Sequence, residues 1–130
     1  MRSAILLFLL CAAGAAQTPP ARQFLLRLEP VRKDFTLQTM TEAERPVVGE
    51  HVAYLTGLLA KGTLTFAGQA FDPKGFWGIV VVNAPDLEAA KAILNGDPVI
   101  KSKLFAGEAI PFRTVFERGS PPPAAAGSPN

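Results

Sequence analysis

The hydrophobic pattern changes period several times along the chain, and each change marks an element. Phe24-Leu25-Leu26-Arg27-Leu28 is a short apolar run closed by Pro30, which predicts a strand. Asp34 to Met40 is polar and irregular and predicts a loop. From Thr41 to Lys61 the period becomes helical. Val48, Val52, Leu55 and Leu59 recur at helical spacing, and Val47, His51, Tyr54 and Leu58 repeat it one residue earlier. Together they predict one wide apolar helix face with His51 on its shoulder. Thr41-Glu42-Ala43-Glu44 fits a capping box, in which hydroxyl and carboxylate each take a free backbone N–H. Gly62 after Lys61 supplies the stop. Pro46 is tolerated in the first turn, or marks a start near Arg45.

Thr63 to Gly68 alternates with period two and predicts a strand with one buried face. Asp72-Pro73-Lys74-Gly75 reads as a turn, because proline presets φ and glycine accepts a positive φ. Phe76 to Val82 is a second strand, so the pair forms a hairpin. Pro85-Asp86-Leu87-Glu88 opens a second helix, with Leu87, Ala90, Ile93 and Leu94 on one face and Asn95-Gly96 at its end. Asp97-Pro98 reads as an N-cap followed by proline, opening a short helix through about Phe105. Ile110 to Phe116 reads as the last strand.

The order strand, helix, strand, strand, helix, strand is the α+β ferredoxin-like βαββαβ arrangement, a four-stranded antiparallel sheet with helices on one face. Helices cover only one side of such a sheet. These strands are apolar enough to leave Phe and Val side chains on the other, and a bare apolar face of that size is unusual on a monomer. A homodimer, sheet face against sheet face, is expected on that ground.

Composition narrows the function classes. The chain has 130 residues, a net charge of +2 and 48% hydrophobic residues. That is one domain, too apolar and too weakly charged to be disordered throughout. Its basic residues are scattered, which gives no reason to expect a nucleic-acid partner. One cysteine and one histidine exclude a Cys/His zinc site. Arg2, the apolar stretch Ala4–Ala13 and the small residues Ala13-Gly14-Ala15 have the form of a cleaved signal peptide over residues 1–15. The stretch falls short of the roughly 20 apolar residues a membrane span needs, so no membrane anchor is expected after cleavage. Leu10 before Cys11 does not fit a lipoprotein signal. Cleavage would remove Cys11 and leave an exported, periplasmic or extracellular domain without a thiol to bridge. Residues 16–21 read as a linker, 22–118 as the domain, and 119–130, built of Gly, Ser, Pro, Ala and Asn, as a disordered tail.

Few side chains here can carry chemistry. His51 is the only one whose ordinary titration lies near neutrality. It suits a general base if an acidic group orients it. Asp97 can be that group if the short helix begins against the main one. Both residues also have plain structural uses, His51 as packing on a helix shoulder and Asp97 as an N-cap. Tyr54, one turn from His51, either donates to a ligand in the same pocket or packs in the core with its hydroxyl at the rim. Glu50 points to another part of the helix, so Glu50, His51 and Asp97 do not form a metal site.

The run Glu50-His51-Val52-Ala53-Tyr54-Leu55, then Lys61-Gly62-Thr63-Leu64, Ala67-Gly68 and Asp97-Pro98, resembles the YCII-related domain family over about Phe24 to Phe116. The resemblance implies a ferredoxin-like fold that pairs into a dimeric α/β barrel, with a His-Asp pair in an active-site pocket, carried here by His51 and Asp97. Some relatives remove chloride from chlorinated hydroxyquinols, and others are associated with regulatory proteins. Two features depart from the family. Gln69 stands where proline commonly follows the Ala-Gly pair, and an export signal is atypical of a largely cytoplasmic family.

Two functions are then open. One is a small enzyme without a cofactor, in which His51, oriented by Asp97, moves a proton on a small cyclic or aromatic molecule. The other is a non-catalytic exported module that binds a small molecule or serves a structural role. The separation of His51 and Asp97 discriminates between them: beyond about 6 Å they are outside the reach of a single bridging water.

Overall fold

A computed structural model describes residues 22–121. The expected signal peptide and linker, and positions 122–130 of the expected tail, lie outside the described residues. The elements are β1 (Arg22–Pro30), α1 (Glu44–Ala60), β2 (Leu64–Asp72), β3 (Gly75–Ala84), α2 (Leu87–Gly96), α3 (Pro98–Lys101) and β4 (Phe105–Phe112). The strands form one antiparallel sheet in the order β2-β3-β1-β4, the ferredoxin-like topology. No helix among the described residues is long and apolar enough to cross a membrane.

Alternation along β1 sets the two faces. Phe24, Leu26 and Leu28 are buried against Ala90 and Leu94 of α2 and Val99 of α3, with Val80 and Val82 of β3 beside them. The intervening residues point to the other face. There the register aligns Phe66, Val81, Leu25 and Ile110 in one apolar row across all four strands. The Arg27 guanidinium on that face lies 5.1 Å from the Trp77 ring and pairs with Glu29.

Local hydrogen-bond chemistry fixes most element ends where the sequence places them. Thr41 Oγ1 accepts the Glu44 N–H at 3.2 Å and Glu44 Oε2 accepts the Thr41 N–H at 2.8 Å, both halves of the capping box. Regular helix is counted only from Glu44, which puts Pro46 in the first turn. Glu44 also accepts from Arg32, and this guanidinium holds the Glu44 carboxyl below the usual glutamate range. The contact ties the β1–α1 loop to the helix. At the other end Gly62 adopts φ +74°. Its N–H reaches the Leu59 carbonyl while the Thr63 N–H reaches Leu58, the paired bonds of a Schellman stop.

Five expectations change. The short helix ends at Lys101, because Lys103 turns the chain at φ +59°, and β4 therefore starts at Phe105 and ends at Phe112. The expected strand at Ile110–Phe116 is displaced. Pro111 sits inside β4 because this is an edge strand, where a missing N–H can face outward. The period-two pattern of β2 is broken by a bulge between Leu64 and Phe66, so Leu64 is core while Phe66 lies on the outer face. Inside the polar loop, Phe35 is 2% exposed, edge-on to Phe105 with ring centroids 5.1 Å apart. Finally, no α1 residue is fully buried: Val47, Leu55 and Leu58 pack on the core, but Val52 and Leu59 remain exposed.

Gly107 is where β4 and the short helices meet. A Cβ there would stand 2.8 Å from Leu94 Cδ1, 3.0 Å from the Arg27 carbonyl and 3.2 Å from Ile100 Cδ1. The carbonyl belongs to the sheet and cannot swing aside. Gly107→Ala is therefore expected to cost about 1–3 kcal/mol of stability, the range for overpacking a close-packed site, read as a lower urea midpoint at unchanged slope.

Candidate active site

The exposed side of α1 faces a gap rather than the sheet. Between α1, β2 and β3 lies an open apolar cleft of about 940 Å³, walled by Val48, Val52 and Leu55 on the helix and by Phe76 and Val80 on β3, with Phe35 at one end. The predicted apolar helix stripe thus lines a cavity in part. His51 is in this lining and Asp97 is not.

Asp97 approaches from behind. It closes α2 and caps α3, so its backbone is fixed from both sides: its N–H donates to the Leu94 carbonyl, and its own carbonyl accepts from Ile100 and Lys101. Its carboxylate accepts the Val99 N–H at 3.1 Å through Oδ1, the N-cap bond foreseen from Asp-Pro. Both carboxylate oxygens lie 2.8 Å from His51 Nδ1. At 3% exposure, Asp97 is the buried charged residue of the core. The N-cap and the histidine partner are therefore one residue in two roles at once.

The chemistry of the pair follows from what each atom can do. An ionised carboxylate only accepts, so the proton between the two groups resides on Nδ1. In the neutral imidazole this leaves the lone pair on Nε2. Among the described residues Nε2 has no hydrogen-bond partner. An imidazole held in this way at the wall of an apolar cleft is chemically able to act as a general base.

Tyr54 points elsewhere. It is not in the cleft lining, so this geometry does not place it on a ligand. Its hydroxyl donates to the Ile93 carbonyl at 2.8 Å. Burial, then the nearby Asp97 charge, pushes its pKa up, which keeps it a donor. Gly96 leaves room for that hydroxyl, which would lie 2.8 Å from a Cβ at this position. Tyr54 thereby joins α1 to the turn that carries Asp97. Glu50 is exposed, and no group of three His, Cys, Asp or Glu side chains among the described residues is placed to hold a metal ion.

A ferredoxin-like sheet, a helix-borne histidine locked to an N-cap aspartate, and an apolar cleft between helix and sheet define a small α+β domain built around a pocket. The chain belongs to the YCII-related domain family, whose model matches residues 24–112. Among solved structures it is similar to 5-chloro-2-hydroxyhydroquinone dehydrochlorinase from Burkholderia phenoliruptrix AC1100, in complex with 2,5-dihydroxybenzoquinone. The TM-score is 0.54 at 18% identity, over 70% of this chain and 93% of that one. At that identity the likeness is one of fold. None of the functionally curated proteins matches the chain.

Proposed function

We propose that this chain is a small enzyme acting on a small cyclic or aromatic molecule, with His51 as the base that moves a proton and Asp97 as the residue that orients it. The observation that carries this is the 2.8 Å contact from His51 Nδ1 to both Asp97 oxygens, with the ring in the wall of an apolar cleft. It lies well inside the distance that separates the two functional readings. Family membership and a dehydrochlorinase as structural neighbour support small-molecule chemistry in this fold. No cofactor enters the step: the base takes a proton through Nε2, and the charge gained by the imidazole is stabilised by the buried carboxylate behind it.

A thermal-shift screen of hydroxylated and chlorinated ring compounds tests the proposal. A compound present at 100 times its Kd stabilises the folded protein by about 2.7 kcal/mol. A true ligand of the site should raise the Tm of the wild type and raise that of His51→Gln much less, each measured against its own ligand-free value. Equal shifts in both would exclude His51 from the site.

We further infer that two copies pair through the outer sheet face. The row Phe66-Val81-Leu25-Ile110 supports this, with Phe66 and Ile110 exposed on it. Sedimentation equilibrium should give twice the chain mass for the wild type and one chain mass for Ile110→Glu. A wild type monomeric at micromolar concentration contradicts the pairing. Export rests on the character of residues 1–15; a mature N-terminus starting after Ala15 in material recovered outside the cytoplasm is the expected result, and full-length protein retained in the cytoplasm the contrary one.

A further inference from the structure

We propose that the cleft holds its ligand at two polar points, His51 and the side-chain amide of Gln69, with an apolar ring between them; this rests on the pocket reading above and specifies its ligand class. Four side chains in the lining carry polar atoms: His51, Thr56, Thr65 and Gln69. Two of them already hold one hydrogen bond within the protein. The Thr56 hydroxyl donates to the Val52 carbonyl at 2.8 Å, and Thr65 Oγ1 accepts from Asn83 at 3.2 Å. His51 Nε2 and the Gln69 amide make no hydrogen bond among the described residues.

The β2 bulge is what aims Gln69. Leu64 faces the helices, and strict alternation from Leu64 would turn position 69 outward. The extra residue between Leu64 and Phe66 shifts the phase, so that Gln69 pairs with Gly78, which itself pairs with Leu28 of the core face. Bulges recur beside binding sites because they redirect one side chain in this way. Gly78 has no side chain to fill the space opposite Gln69. A Cβ there would meet only the Gly68 carbonyl, at 3.6 Å.

The chemistry of the two points selects the ligand. Nε2 of the neutral ring accepts from a hydroxyl or other acidic group, while the carboxamide both donates and accepts. The rest of the lining is largely apolar, with aromatic rings from Phe35, Phe76 and Phe105. The ligand class is therefore a ring carrying one oxygen function toward His51 and a second toward Gln69. A ring with a single oxygen would leave one end unpaired, and a charged chain-like molecule would be desolvated without compensation.

Hydroquinone and phenol are the probes, titrated by NMR on the resonances of His51, the only histidine in the chain. In the wild type hydroquinone should bind roughly three- to tenfold more tightly than phenol, the effect of one added hydrogen bond. Gln69→Leu should abolish that preference, hydroquinone and phenol then binding His51 with equal affinity. Gly78→Val should weaken both, because the new side chain enters the floor of the cleft. If both probes move His51 but the preference is missing, or survives in Gln69→Leu, the two-point inference fails and the pocket reading stands. If neither probe moves His51 at millimolar concentration, the pocket reading fails and this inference with it.

Discussion

Replacing His51 should remove turnover by about 10²–10⁴-fold, the usual contribution of a positioned general base. The substrate for this measurement is the ring compound with the largest thermal-shift difference between wild type and His51→Gln, followed by product formation and by deuterium uptake from D2O. The choice of replacement matters. His51→Ala takes the partner from a carboxylate that is 3% exposed. A buried group left unpaired costs about 1–3 kcal/mol, which in a domain of this size lowers Tm by several degrees per kcal/mol. His51→Gln retains an N–H donor that can reach Asp97, but no group that can accept a proton at neutral pH. The expected result is a common loss of turnover with a clear drop in Tm for alanine only. A His51→Gln enzyme with wild-type turnover would leave the histidine a packing residue.

The parts of this molecule legible in its sequence are those decided by a few adjacent residues. The Thr41–Glu44 capping box, the Gly62 stop and the Asp86 and Asp97 caps satisfy backbone groups within five residues of themselves, so their chemistry is complete in a short window. What the sequence does not reveal depends largely on partners far along the chain. Phe35 lies in a polar stretch and is buried only because Phe76 and Phe105 converge on it. The β4 strand is displaced because its alternation is read from Ile110 onward, after a helix carried through to Phe105, whereas the strand begins at Phe105 and already contains Gly107 and Pro111. One is there because helices press on the strand, the other because the strand is at an edge. Periodicity marks the apolar stripe of α1 but does not say whether a neighbour reaches it. The bulge in β2 leaves no local signature, yet it determines which residues of that strand see the cleft. The His51–Asp97 pair, 46 residues apart, is raised by the chemistry of the few available side chains and reinforced by the family resemblance, while no spacing rule gives it.

Asp97 has two roles in the structure, and its substitutions should separate them. Asparagine caps helices about as well as aspartate, whereas alanine costs typically about 1 kcal/mol. Asp97→Asn should therefore keep the Val99 N–H bonded and melt near the wild type, and Asp97→Ala should melt lower. Turnover should divide differently. Oδ1 already receives the Val99 N–H, and the asparagine oxygen is expected to remain there. The amide nitrogen then takes the place of Oδ2, 2.8 Å from His51 Nδ1. That nitrogen is a donor facing Nδ1, and although Oδ1 also lies 2.8 Å from Nδ1 it already accepts from Val99, so the tautomer in which Nδ1 accepts and the ring proton sits on Nε2 is the expected one. The base is lost although every heavy atom stays in place. Asp97→Asn should thus lose turnover by about 10²-fold or more, with a native Tm, and its single histidine should show the opposite tautomer in its ¹⁵N spectrum. A carboxylate that only capped α3 would give the reverse outcome: full activity in Asp97→Asn and an unchanged histidine spectrum.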